Sequence, residues 1–167
     1  MAERPWAAEA HRASRVSSCR RRGCTLDLRG LVVDDLTIID CDLADHLFVA
    51  APQPERVSKR PDYILFFEQH GQVVVVVVEM KSGANTKAKE VLEQVTAGCR
   101  AVELMIAGNA VRAVVPMLVH GGMDSSRELS YLRMHGVRCV GSGRPVVSVR
   151  CGARLEPALR RLLAKVW

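Results

Sequence analysis

Pro61 to Lys81 reads PDYILFFEQHGQVVVVVVEMK, and this stretch decides the fold. Tyr63 to Phe67 is aromatic and aliphatic, the composition of a strand. Gln69-His70-Gly71 is turn chemistry, and Gln72 to Lys81 predicts a second strand, so the two form a β-hairpin. Six consecutive valines, Val73 to Val78, have no polar face to give to water. Such a strand must be covered on both sides, as a central strand of an α/β sheet is. Downstream, Ser82-Gly83-Ala84-Asn85-Thr86 breaks the strand and supplies caps. A helix follows over about 87–107, with Val91, Val95, Cys99, Val102 and Ile106 on one apolar face. Gly108-Asn109 stops it, and Val111 to Val119 predicts a third strand. Gly121-Gly122 is a turn, and Asp124 or Ser125 caps a short helix ending near His135-Gly136. Val137 to Val140 and Val146 to Val149 predict short strands. Pro157 suits the first position of a closing helix that ends near Val166.

Upstream, 51–61 is a proline-punctuated loop, and Leu26 to Asp42 alternates apolar and acidic residues as one or two strands do. Residues 1–30 form a basic segment carrying Arg12, Arg15, Arg20, Arg21, Arg22 and Arg29, whose start reads as a frayed helix. The expected architecture is α/β: one domain over 31–167, with a mixed central β-sheet flanked by helices.

The chain has 167 residues, 24 Lys plus Arg against 18 Asp plus Glu, and a formal charge of +6. That balance favours an anionic partner, with nucleic acid first. No apolar run reaches the roughly 18–20 residues of a membrane helix, so no membrane partner is expected. The N-terminus has no apolar signal core. Its arginines hint at a mitochondrial presequence, which Glu3 and Glu9 oppose. Cytoplasmic residence is the expectation, with Cys19, Cys24, Cys41, Cys99, Cys139 and Cys151 as reduced thiols. The spacing of Cys19 and Cys24 is too loose for a zinc knuckle.

Chemistry concentrates at the hairpin ends. Asp62 opens the first strand, and Glu79 and Lys81 end the second. Glu79 and Lys81, two apart on a strand, share a face, and the hairpin brings Asp62 opposite them. A carboxylate interrupting an apolar strand is costly unless it is paired or ligates a cation. Asp62, Glu79 and the Met80 carbonyl make an oxygen set suited to Mg²⁺ or Mn²⁺. Lys81 stands ready to orient a water or neutralise developing charge. The bland reading makes Asp62 a turn cap and Glu79 and Lys81 an exposed strand-end pair.

Pro61-Asp62, a sixteen-residue gap and Glu79-Met80-Lys81, followed by a long helix, a strand and a helix, resemble the PD-(D/E)XK nuclease superfamily over about residues 60–120. The resemblance implies a restriction-endonuclease-like core and a Mg²⁺-dependent nuclease that hydrolyses phosphodiester bonds of DNA or RNA. It gives Asp62 and Glu79 as metal ligands and Lys81 as the catalytic lysine. Gln94 matches half of a Gln and Tyr motif found in exonuclease-like branches, since Gly98 stands where the Tyr would be. An upstream acid also belongs to the pattern: Glu9, Asp34, Asp35, Asp40 and Asp42 are candidates. Asp40 and Asp42 are favoured as sharing a strand face. His120 is a candidate supporting group at the same sheet edge, while His46, His70 and His135 are scattered. The N-terminal arginines read equally as a solvated segment or as a phosphate-binding arm. The alternative function is a non-catalytic nucleic-acid- or protein-binding domain with a degenerate nuclease fold. A homodimer or a partner subunit would suit so small a chain.

Overall fold

In the computed structural model, all six valines of 73–78 are buried, divided alternately between two cores. The structure describes residue 6 and residues 18–31, 35–48, 59–69, 71–83, 86–106, 109–122 and 126–164. The elements are β1 (Ser18–Arg21), β2 (Cys24–Asp27), β3 (Asp35–Asp40), β4 (Tyr63–Gln69), β5 (Gln72–Lys81), α1 (Ala88–Met105), β6 (Val111–His120), α2 (Ser126–His135), β7 (Val137–Cys139), β8 (Ser142–Arg144), β9 (Val147–Arg150) and α3 (Leu155–Leu163).

Five strands form a mixed sheet in the order β3-β4-β5-β6-β9. β3, β4 and β5 run antiparallel in sequence, and β6 and β9 extend the sheet parallel to β5. Gln69 faces Gln72 across the hairpin, and Gly71 takes the positive φ of 76° that its turn needs. Val73, Val75 and Val77 face α1, whose Val91, Val95, Cys99 and Val102 are fully buried against them. The other face, Val74, Val76, Val78 and Met80, shares a core with Cys19, Cys24 and Leu26 of β1 and β2 and with Leu155 and Leu159 of α3. The valine strand is therefore covered on both faces, by α1 on one side and by β1, β2 and α3 on the other.

Several local expectations change. The frayed helix expected at the start of the basic segment falls on residues outside those described, apart from Trp6, and from residue 18 onward the segment is a β-hairpin. Arg22 and Gly23 turn it with φ of 51° and 77°, the two positive values a tight hairpin loop requires. Cys19, Cys24 and Leu26 of that hairpin are buried in the α3-side core. The alternating stretch 26–42 divides between β2, outside the central sheet, and β3 at its edge. Pro157 is the third residue of α3 rather than the first, still within the turn whose amides need no helical partner. β8 was not anticipated, and it pairs with β7 as a separate ribbon. The caps Asp124 and Ser125, the turn residue His70, Gly108 and Val166 lie outside the described residues.

The cysteines depart furthest from expectation. Cys24 is bonded to Cys151 and Cys99 to Cys139, with Cα separations of 5.0 and 5.3 Å. These lie inside the range a disulfide spans. Only folding reveals such proximity, because the partners are 127 and 40 residues apart in sequence. Cys19 and Cys41 remain as buried thiols. Among the described residues no helix is long and apolar enough to cross a membrane.

Candidate functional site

The site is built where the β4–β5 ladder ends. The last ladder pair is Tyr63 opposite Val78. Asp62, one residue beyond, donates its N–H to the Val78 carbonyl at 2.9 Å, and its own carbonyl accepts the Cys41 N–H at 3.0 Å. Its backbone is thus held by both neighbouring strands. The carboxylate turns toward β5, where Oδ2 accepts the Met80 N–H at 2.8 Å. That bond seats Asp62 beside Glu79.

Both acids are buried, Asp62 at 4% and Glu79 at 1% exposure, so Glu79 is not part of an exposed strand-end pair. Burial raises the pKa of Asp62, while the Met80 amide and Arg21 pull it back down. Burial, then the nearby Asp62 charge, pushes Glu79 up to about 8 against the pull of Lys81. Lys81 Nζ lies 3.2 Å from Glu79 Oε1. Its direction misses hydrogen-bonding geometry, so both Glu79 oxygens are buried without a hydrogen-bond donor. A buried carboxylate that accepts no hydrogen bond, with one lysine nearby and a second carboxylate beside it, is the chemistry a divalent cation satisfies. Glu79 and the Oδ1 of Asp62 would hold it. Met80 contributes its amide to Asp62 in this arrangement.

Gln94 reaches the same level from α1. Gly98 lies directly on β5 and on the residue that leads into β4: a Cβ there would come within 2.5 Å of Val77 Cγ1 and 2.7 Å of Pro61 Cγ. The helix runs antiparallel to β5, because it connects two parallel neighbours. One turn back from Gly98 is Gln94, about 6 Å along the helix, and two residues on from Val77 is Glu79, about 6.6 Å along the strand. The Gln94 Oε1 is buried with no hydrogen-bond partner. The glycine that breaks the Gln and Tyr motif is thus what lets the helix approach.

Arg21, which sequence reasoning left in a general basic segment, is the cation that ties the upstream acids to the candidate site. Its guanidinium lies 2.7 Å from Asp40 Oδ1, 3.3 Å from Asp42 Oδ2 and 3.3 Å from Asp62 Oδ1, and stacks over Tyr63 at 4.8 Å. The Tyr63 hydroxyl donates to the Arg20 carbonyl at 2.7 Å, fixing the hairpin there. Arg22, at the hairpin tip, lowers the pKa of both Asp62 and Glu79. Arg-Arg-Arg-Gly followed by an alternating Cys-Thr-Leu was the available signal, since glycine after a polar residue suits a tight turn.

Asp40 and Asp42 do not share a strand face. Asp40 ends β3, and Asp42 lies in the turn beyond it, where it also meets Arg60. Arg21 brings them together. Asp35 stands at the opposite end of β3. Glu9 and Asp34 lie outside the described residues. Among the described residues, no three His, Cys, Asp or Glu side chains gather closely enough to hold an ion. His120 does reach the edge, paired in register with Lys81 and 6% exposed, with Nδ1 buried and unpartnered. His135 is engaged locally, bonded to the Tyr131 carbonyl and stacked on its ring. His46 lies in a short 3-10 turn, Asp45–Phe48.

Compared with known proteins, the chain matches no family model, no curated protein and no solved structure.

Proposed function

We propose that this chain is a metal-dependent nuclease with a restriction-endonuclease-like core of the PD-(D/E)XK type, acting on DNA or RNA. The observation that carries the reading is Glu79: a carboxylate at 1% exposure whose oxygens accept no hydrogen bond among the described residues, beside Asp62 and the ion-paired Lys81 at adjacent strand ends. The antiparallel β3-β4-β5 followed by α1 and a parallel β6 supports it, since that order presents the three groups together. Bound Mg²⁺ or Mn²⁺ would lower the pKa of a water and offset charge on a phosphoryl group. Glu79 and Asp62 would bind the ion. Lys81 would hold an attacking water at Nζ or neutralise transition-state charge. Gln94, level with Glu79, would orient through its free Oε1.

A non-catalytic nucleic-acid- or protein-binding domain is the second reading. Arg21 favours it, because one internal cation already compensates Asp62. The test is cleavage of labelled single-stranded, duplex and branched nucleic acids in Mg²⁺ or Mn²⁺. Cleavage should stop with EDTA and with Glu79→Ala. Lys81→Ala should slow it by about 10²-fold or more while leaving ion binding in place. A folded wild type that cleaves nothing would favour the binding domain.

A further inference from the structure

Two exposed arginines stand at the carboxylate edge without a carboxylate partner among the described residues. Arg22 occupies the β1–β2 tip and acts electrostatically on both Asp62 and Glu79. Arg150 ends β9, in register with His120, which is itself in register with Lys81. Its guanidinium lies over the turn after β6: a Cβ on Gly122 would meet Nη1 at 3.1 Å. The two arginines come from segments far apart in sequence, and the Cys24–Cys151 bond joins those segments with a Cα separation of 5.0 Å. Arg22 is two residues before one cysteine and Arg150 one residue before the other. The Cys151 N–H also donates to the His120 carbonyl at 2.8 Å, and Gly152 donates to Thr25 of the hairpin. The edge is therefore fixed covalently and by hydrogen bonds.

Elsewhere the arginines near this edge are used. Arg21 serves three carboxylates and Arg60 serves Asp42 and Asp45. Among the described residues no carboxylate pairs with Arg22 or Arg150, so their charge is open to a partner outside the chain. Guanidinium groups left unpaired beside a site for phosphodiesters have the geometry and charge to grip phosphate oxygens.

We infer that Arg22 and Arg150 form a phosphate-binding surface, held together by the Cys24–Cys151 link, that grips the backbone of a nucleic acid next to the carboxylates. Its contacts are to phosphate, so it adds affinity without reading sequence. The inference rests on the nuclease reading for the identity of the polyanion, and its test is independent of cleavage.

The test is binding of fluorescein-labelled single-stranded and duplex oligonucleotides to the full chain in EDTA, across a salt series. Wild type should bind with affinity that falls as salt rises. Arg22→Ala and Arg150→Ala should each flatten the slope of log affinity against log salt by about 0.7 on single strands or 0.9 on duplex, one lost phosphate contact apiece. The loss should be the same for unrelated sequences. Arg133→Ala, on exposed α2, should leave the slope unchanged. Unchanged slopes in both edge variants would overturn the surface, as would a wild type that binds neither oligonucleotide. Calorimetric Mn²⁺ binding separates the two claims. Ion binding with unchanged slopes removes the surface and spares the metal site, whereas flattened slopes without ion binding do the reverse.

Discussion

At Glu79 a single carboxyl links pH and stability and, in the proposed site, ion binding. Its pKa rises from 4.5 to about 8 in the fold, chiefly through burial. A carboxyl with a raised folded pKa supports the fold fully below its unfolded value, near 4.5, and that support is lost as pH climbs through about 8. The rise corresponds to at most about 5 kcal/mol. Glu79→Gln keeps the shape and removes the ionisation. Thermal melts in EDTA should therefore show the variant gaining on wild type between pH 5 and 9, and Mn²⁺ should narrow the gap at the alkaline end by binding wild type alone. Parallel curves would mean that Glu79 is compensated by something else. The residue types at the site were legible: Asp62, Glu79 and Lys81 stand out because polar groups at the tips of an apolar hairpin need a reason. Arg21 was not legible, since its three acidic partners are gathered by tertiary contact from β3, the following turn and the start of β4.

At the scale of elements, α1 decides how closely Gln94 approaches the acids, and Gly98 decides how closely α1 approaches the sheet. Gly98→Ala gains up to about 1 kcal/mol of helix propensity. It also drives a methyl into Val77 and the Pro61 ring, a rigid pair, at an overpacking cost of about 1–3 kcal/mol. The expected net effect is a loss of about 1–2 kcal/mol by denaturant melting. Gly83→Ala, where a Cβ meets nothing, should be neutral. Equal stability of the two variants would contradict the close α1 contact. Periodicity located α1 and β6 because their apolar spacing reports which side is buried. It could not locate β1 or β8, strands of four and three residues whose polar sequences gain their order from what they pack against.

Across the whole molecule, the chain is tied by two crosslinks that no cysteine spacing foretold. Thiol titration in guanidinium without reductant should find two thiols, Cys19 and Cys41, and six after reduction. Closing the 127-residue span between Cys24 and Cys151 is worth about 5 kcal/mol by chain entropy, so reduction should lower the melting temperature markedly. Six thiols in the unreduced protein would contradict this connectivity. The α/β class and mixed sheet followed from the valine strand and the helix after it, because a strand buried on both faces leaves few arrangements. The hairpin laid beside the carboxylates did not follow, since its place is set by Tyr63, Asp40 and the crosslink to Cys151. The central claim is that Asp62 and Glu79 together hold a divalent ion. Calorimetric titration of Mn²⁺ into the metal-free wild type and into Glu79→Ala tests it most directly. The expected result is saturable binding by wild type at one site per chain, with proton release that grows as pH falls below about 8, and no binding by the folded variant. Absence of binding by folded wild type, or equal binding by both proteins, would contradict it.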